Sequence, residues 1–183
     1  MSFNPKLTQW ANKRVWLVGA STGIGEALAR QLDELGCKQM LSARSADKLA
    51  TLAGELKHAT ALPVDITQQA AVKNAFDVVM GAWGGVDLIV LMAGTYSEMS
   101  VQDFDIDKVC QQIDVNLNGT MYVLANALPK LLEQKSGHIA IVSSVAGYRG
   151  LPNSLAYGPT KAALINLAEA LHVELQPHQV GVS

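Results

Sequence analysis

The feature that most limits the fold is a junction near the start of the chain. Four consecutive apolar residues, 15–18, run straight into Gly19-Ala20-Ser21-Thr22-Gly23-Ile24-Gly25, and a helical pattern follows over 25–35. A short apolar run without polar alternation reads as a strand buried on both faces. Glycines at spacing G-x-x-x-G-x-G turn the backbone tightly and let it approach an anion where a Cβ would stand in the way. The helix beyond turns its free N–H groups and the positive end of its dipole toward the same point. Strand, turn and helix together make a cradle for a pyrophosphate. The plainer alternative is a tight strand–helix turn that binds nothing.

The same alternation recurs down the chain. Residues 40–43, 61–64, 88–92 and 138–142 read as further strands, and a sixth opens at 180–183. Between them, Leu49, Leu52, Ala53 and Leu56 recur at helical spacing, as do Val72, Ala75, Phe76, Val79 and Trp83, with Thr67 as a candidate cap. Gly36 ends the first helix, and Gly84 and Gly85 break the third. A long helical stretch over 108–134 contains Pro129, which is expected to kink or split it, and another over 154–175 is closed by Pro177. Strands alternating with helices imply an α/β fold of the Rossmann type: a doubly wound parallel sheet with helices on both faces, residues 1–183 forming one domain that ends in the sixth strand. Ligands of such sheets bind beyond the carboxyl ends of the strands.

Composition narrows the function. Apolar residues make up 49% of the 183, charged residues 16%, and the net charge is −2. No basic stripe is present to hold a phosphodiester backbone, so nucleic acid is not an expected partner. No apolar run approaches the ~20 residues of a membrane span. Residues 1–13 are polar and lack the pattern of a signal or transit peptide, so a cytoplasmic location is expected, with Cys37 and Cys110 as reduced thiols. His58, His138, His172 and His178 lack metal-ligand spacing, and no catalytic metal is expected.

The second strand bears on the choice of dinucleotide. An acid about 20 residues past the glycines would bond the ribose 2′-OH of NAD(H). Here the strand ends Leu41-Ser42-Ala43-Arg44-Ser45, and Asp47 comes only after the turn. Arg44 offers a planar cation suited to a 2′-phosphate, so NADP(H) is expected over NAD(H), which stays possible. The alternative is that Arg44 is an ordinary solvated charge.

Tyr157-Gly158-Pro159-Thr160-Lys161 sets a phenol and an ammonium four residues apart, on one face of a helix. The cation favours charge on the phenol oxygen, which makes a tuned acid/base pair. By itself the spacing is common. Ser143-Ser144 at the end of the fifth strand and Asn116 among apolar helical neighbours add to it. An interior Asn can also be satisfied by a backbone group or a water.

These residues resemble the short-chain dehydrogenase/reductase family in its non-extended branch, from Lys13 onward. The likeness rests on Gly19, Gly23 and Gly25, on Asp65 after the third strand, on Ala93-Gly94 after the fourth, and on Asn116, Ser144, Tyr157 and Lys161. Ser144 is preferred to Ser143 because the family's usual interval before the tyrosine is thirteen residues. The resemblance implies interconversion of a carbonyl and a secondary alcohol by hydride transfer. Tyr157 would act as acid/base, Ser144 would hold the same oxygen, Lys161 would steady Tyr157 and the nicotinamide ribose, and Asn116 would anchor a water on a proton path from Lys161 to solvent. Gly19, Ser21, Thr22, Gly23, Ile24, Gly25, Arg44, Asp65, Ala93, Gly94, Tyr157 and Lys161 would bind the cofactor, Asp65 at the adenine.

The chain departs from the family twice. Leu91-Met92 precede Ala93-Gly94 where the family usually has two asparagines, so the local hydrogen bonds of those amides are expected to be missing. It also stops at Gly181-Val182-Ser183, before the Pro-Gly turn, the substrate-covering segment and the seventh strand of the family. A C-terminally truncated member is therefore expected, and the rival reading is a catalytically impaired nucleotide-binding fragment or sensor. Epimerases and dehydratases of sugar nucleotides share the Tyr-x-x-x-Lys pair but space their glycines G-x-x-G-x-x-G. Residues 161–175 are apolar nearly all round, which implies a homo-oligomer, dimer or tetramer. The segment 145–152 is mostly small or apolar, and with Tyr96 it hints at a fairly apolar small-molecule carbonyl or alcohol substrate.

Overall fold

The structure, a computed structural model, describes Asn4 and residues 7–183. Six parallel strands form one sheet: β1 (Arg14–Val18), β2 (Lys38–Ser42), β3 (Ala59–Ala61), β4 (Leu88–Leu91), β5 (His138–Ile141) and β6 (Gly181–Val182). Their spatial order is β3-β2-β1-β4-β5-β6. The chain winds outward one way from β1 and then the other way from β4. That reversal leaves a crevice between the carboxyl ends of β1 and β4.

The unbroken apolar runs are divided between two cores by the pleat. Val15 and Leu17 pack with Ala29 and Leu32 of α1 (Gly23–Glu34) and Leu49 and Leu52 of α2 (Ala46–Glu55). Trp16 and Val18 pack on the other face with Val72, Phe76 and Val79 of α3 (Gln69–Trp83) and with Val123, Leu124 and Leu131 of α5 (Gly119–Gln134). Successive strand residues point to opposite faces, so a sheet covered twice needs no polar alternation. Side chains as enclosed as Leu17 and Ile89 each contribute roughly 2 kcal/mol by leaving water. The buried indole of Trp16 donates to Ser42 Oγ at 2.9 Å, and that hydroxyl donates to the Leu62 carbonyl at 2.8 Å. A polar relay thus crosses from β1 over β2 to the chain beyond β3.

Three boundaries differ from the sequence expectation. β3 spans Ala59–Ala61 rather than 61–64; beyond it the Leu62 and Val64 amides still donate to the carbonyls of Leu41 and Ala43, and Val64 reaches the crevice. Thr67 does not cap α3: its amide and hydroxyl both donate to Asp65 Oδ1, and Gln68 is the cap residue. The long stretch starts at Ile106, where the Asp105 side chain accepts from the amides of Asp107 and Lys108, and α4 runs Ile106–Ile113. Pro129 lies inside an uninterrupted α5, so the split falls elsewhere. A π-helical segment, Asp114–Asn118, joins α4 to α5. There the Gly119 amide donates to the Asp114 carbonyl five residues back. Such a wide turn changes the angular phase of the helix and re-aims the side chains within it.

The last helix, α6 (Tyr157–Leu175), begins at the tyrosine itself, with Pro159 in its first turn, where a missing N–H costs nothing. Among the described residues no helix is long and apolar enough to cross a membrane.

Candidate active site

A cavity of about 430 Å³ opens at the reversal of strand order. Gly19, Ser21, Thr22, Ile24 and Gly25 line it from the first turn, Arg44 and Lys48 from the region after β2, Asp65 from the region after β3, and Ala93 and Gly94 from the region after β4. Two glycines are required by geometry. Gly19 has φ +103°, and a Cβ there would lie 2.5 Å from the Ala93 amide nitrogen. A Cβ on Gly25 would collide with the Gly19 carbonyl oxygen. Gly23 does not line the cavity, and a Cβ there meets open space despite φ +59°.

The cavity fits a dinucleotide. Its glycine wall is backbone, and α1 begins at Gly23 without a side-chain cap, which leaves amides for an anion. Arg44 and Lys48 are exposed cations that make no ion pair among the described residues. Lys48 was not anticipated from sequence, where nothing in its spacing marks it. Asp47 does not line the cavity. Asp65 spends Oδ1 on Thr67, at 3.0 Å from the amide and 2.8 Å from the hydroxyl. Val64, Ile66, Met92 and Val115 supply apolar wall, so the departure at Met92 places a thioether where the family has an amide. Its backbone amide still donates to the Val18 carbonyl at 2.9 Å, which keeps β1 and β4 joined.

A second cavity, of about 450 Å³, is lined by Tyr96, Ser144, Ala146, Leu151, Pro152, Ser154 and Tyr157. Ser144 and Tyr157 therefore share a wall. Ser144 begins a 3-10 turn, Val145–Gly147, and its Oγ accepts from the Ala146 amide at 3.2 Å. That bond fixes the oxygen and leaves the hydroxyl proton to be donated elsewhere. The Tyr157 hydroxyl makes no hydrogen bond among the described residues, and the backbone of the residue opens α6.

Lys161 connects the two cavities. Its Nζ donates to the carbonyl of Val142, a wall residue of the first cavity, at 3.0 Å. The same nitrogen lies 5.6 Å from the centroid of the Tyr157 ring. The side chain is only 4% exposed, and burial pushes its ammonium below the usual lysine range. Ser143, passed over in favour of Ser144, donates to the Lys161 carbonyl at 2.8 Å and ties the end of β5 to α6.

Asn116 stands behind these walls, fully buried. Its Oδ1 accepts from the Thr95 amide at 2.7 Å, and Nδ2 donates to the Thr95 carbonyl at 3.0 Å and to Thr160 Oγ1 at 3.1 Å. Both amide protons are used. A water held by this side chain would have to donate to Oδ1. Thr160, Thr95 and Gln112 were missed in the sequence, since nothing in their spacing marks them.

Among known proteins, the family model for short chain dehydrogenases matches residues 13–183. An uncharacterised oxidoreductase of Staphylococcus aureus is 34% identical over 179 residues, covering 97% of this chain and 78% of the relative. An uncharacterised oxidoreductase of Staphylococcus epidermidis is 34% identical over 168 residues, covering 91% of this chain and 73% of the relative. Among solved structures, a 3-ketoacyl-(acyl-carrier-protein) reductase from Brucella melitensis complexed with NADH superposes with a TM-score of 0.89 at 25% identity, over 94% of this chain and 73% of that one. The apo form of LigO from a Sphingobium species superposes with a TM-score of 0.92 at 28% identity, over 97% and 68%. The match runs from the residue before β1 through the last strand and takes in the glycine turn and the tyrosine–lysine helix, so the chain belongs to the short-chain dehydrogenase family of NAD(P)-dependent oxidoreductases.

Proposed function

We propose that this oxidoreductase interconverts a carbonyl and a secondary alcohol, with Tyr157 as acid/base and NADP(H) as the preferred cofactor. The observation that carries the reading is that Ser144 and Tyr157 wall one cavity while buried Lys161 reaches from the Tyr157 ring to the wall of the other. The nicotinamide, when bound, supplies or accepts the hydride. The remaining work falls to the chain's own groups. Ser144 donates its free proton to the substrate oxygen and steadies charge as it develops there. Tyr157 gives that oxygen a proton in reduction, or takes one in oxidation, and the Lys161 ammonium stabilises the negative phenol oxygen left behind. Asn116 holds Thr160, whose hydroxyl donates to the Tyr157 carbonyl at 2.8 Å, and so fixes the turn that carries the phenol.

Arg44 and Lys48 support the preference for NADP(H), as two cations that line the cavity together with the glycine turn and make no ion pair among the described residues. The apolar side chains of α6, of which Val173 stays 66% exposed, support a homo-oligomer. Consumption of NADPH against a panel of aldehydes and ketones tests the reading, together with Tyr157→Phe. Turnover should vanish in the variant while NADPH still binds. A variant as active as the parent refutes the tyrosine role, and tighter binding of NADH than NADPH refutes the cofactor preference. Binding without consumption of any carbonyl would favour a nucleotide-binding protein that does no chemistry.

A further inference from the structure

The second cavity has one wall built with unusual care. Tyr96 lines it and is 47% exposed, yet the residue is restrained on every side. Thr95, just before it, is held by two bonds from Asn116. Ser97, just after it, is held the same way by Gln112, whose Oε1 accepts from the Ser97 amide at 3.2 Å and whose Nε2 donates to the Ser97 carbonyl at 3.4 Å. Gln112 is completely buried on the α4 turn preceding Asn116, and the four-residue interval sets both carboxamides on the helix face turned to the same stretch of chain. The Tyr96 hydroxyl donates to the Asn153 carbonyl at 3.3 Å, and the Met99 amide donates to the same oxygen at 3.1 Å. The Tyr96 ring meets the Tyr157 ring at 66° with centroids 5.0 Å apart. A surface aromatic that merely decorates a loop does not require two buried carboxamides to hold its neighbours.

The chemistry of the wall follows from its members. Tyr96, Ala146, Leu151 and Pro152 present apolar surface, and the polar groups are hydroxyls. Among the described residues no charged side chain lines the cavity. A carboxylate or phosphate brought against this wall would lose hydration without gaining a partner. A flat ring gains both apolar burial and the edge or face contacts aromatic pairs prefer.

We propose that this cavity selects uncharged carbonyl compounds bearing a flat apolar group, which lies against the Tyr96 ring, and that Gln112 is the positioning residue that holds Tyr96 in place. The inference rests on the carbonyl-reducing reading for its reaction, but its selectivity is readable from binding alone.

The test uses the full chain saturated with NADPH and three probes: acetophenone, 2-butanone and 4-acetylbenzoate. Ligand-observed NMR gives affinities, and NADPH consumption gives kcat/KM. Acetophenone should bind better than either of the other two. Tyr96→Ala should lower the preference for acetophenone over 2-butanone about tenfold, the scale of one aromatic contact with its buried area. Tyr96→Phe should keep that preference. Gln112→Leu should lower it in the same direction while the Kd for NADPH is unchanged, a split that general loss of structure does not produce. If Gln112→Leu does not fold, Gln112→Glu, which keeps the acceptor for the Ser97 amide and loses the donor, should show the same loss in smaller measure. The proposal is overturned if the parent binds none of the probes, if 4-acetylbenzoate binds as well as acetophenone, or if Tyr96→Ala leaves the preference intact. The positioning role is overturned if a folded Gln112 variant keeps the preference of the parent. Binding of acetophenone through Tyr96 without reduction would sustain the selectivity and instead refute the proposed reaction.

Discussion

Asn116 holds Thr95 from both sides, accepting its amide proton at 2.7 Å and donating to its carbonyl at 3.0 Å. A side-chain carboxamide here does what a neighbouring strand does inside a sheet. The chain has just left β4, and its backbone groups have lost their ladder partners at the point where they pass the cofactor cavity. An amide buried without a partner costs about 1–3 kcal/mol, so a residue that supplies both a donor and an acceptor at one depth has no apolar substitute.

Replacing Asn116 by Ala should therefore cost about 2–3 kcal/mol, because the Thr95 amide and carbonyl lose their partner together. For a chain of this size the thermal midpoint should fall by about 5–10 °C. Calorimetry of the variant measures this directly, and an unchanged midpoint would mean the clamp carries no stability.

The glycine turn separates two kinds of glycine. Gly25→Ala drives a Cβ into the Gly19 carbonyl, so the cradle must open and NADPH binding should be lost. Gly23→Ala meets no atom within 4 Å and carries only the strain of φ +59°, about 1–2 kcal/mol. Fluorescence titration with NADPH should find the first variant blind to the cofactor and the second still binding. Equal behaviour of the two would show that backbone approach is not what the turn provides.

Arg44 and Lys48 should distinguish the two dinucleotides. Arg44→Ala should weaken NADPH by about tenfold, the low end for a charge-assisted hydrogen bond, and leave NADH nearly unaffected. Lys48→Ala should act in the same direction but less, since an ammonium lacks the planar fork. Parallel titrations with both dinucleotides at one ionic strength decide it, and a loss common to both would assign the cations to the pyrophosphate instead.

Fold and site were legible in the sequence to different degrees, for physical reasons. Val15 to Val18 announced a doubly covered strand because burial on both faces leaves no room for polar residues, and Gly19 and Gly25 announced the turn because a Cβ at either would run into backbone. Tyr157 and Lys161 were visible as a pair since helical geometry fixes what lies four residues on. The π-helical segment was not visible. It contains Asn116, whose partners Thr95 and Thr160 lie far off in sequence and are encoded in no local spacing, and Pro129 drew attention to the wrong place. Gln112 was hidden for a similar reason: a glutamine in a helix is ordinary until its amide is found buried against Ser97.

The last prediction concerns pH, and it lies at the far end of the sheet from the site. His138 opens β5 almost fully buried, with Nε2 2.9 Å from Ser183 Oγ and no partner for Nδ1 among the described residues. Burial holds its imidazole below the usual histidine range. The unfolded chain therefore takes up a proton near pH 6.5 that the folded chain resists, so the unfolded state binds more protons and stability falls as the pH drops from about 6.5 toward the folded value. Asp87 works in a lower window. Burial pushes its carboxyl up, but the hydrogen bonds from Arg14, at 2.8 Å from the amide and 2.9 Å from Nε, prevail and hold it below the usual range. Its contribution is whole above about pH 4 and is lost only as the pH falls further. Between pH 7 and 5 the slope of thermal midpoint against pH should thus shrink in His138→Leu and persist in Asp87→Asn, and the opposite pattern would reverse the two assignments.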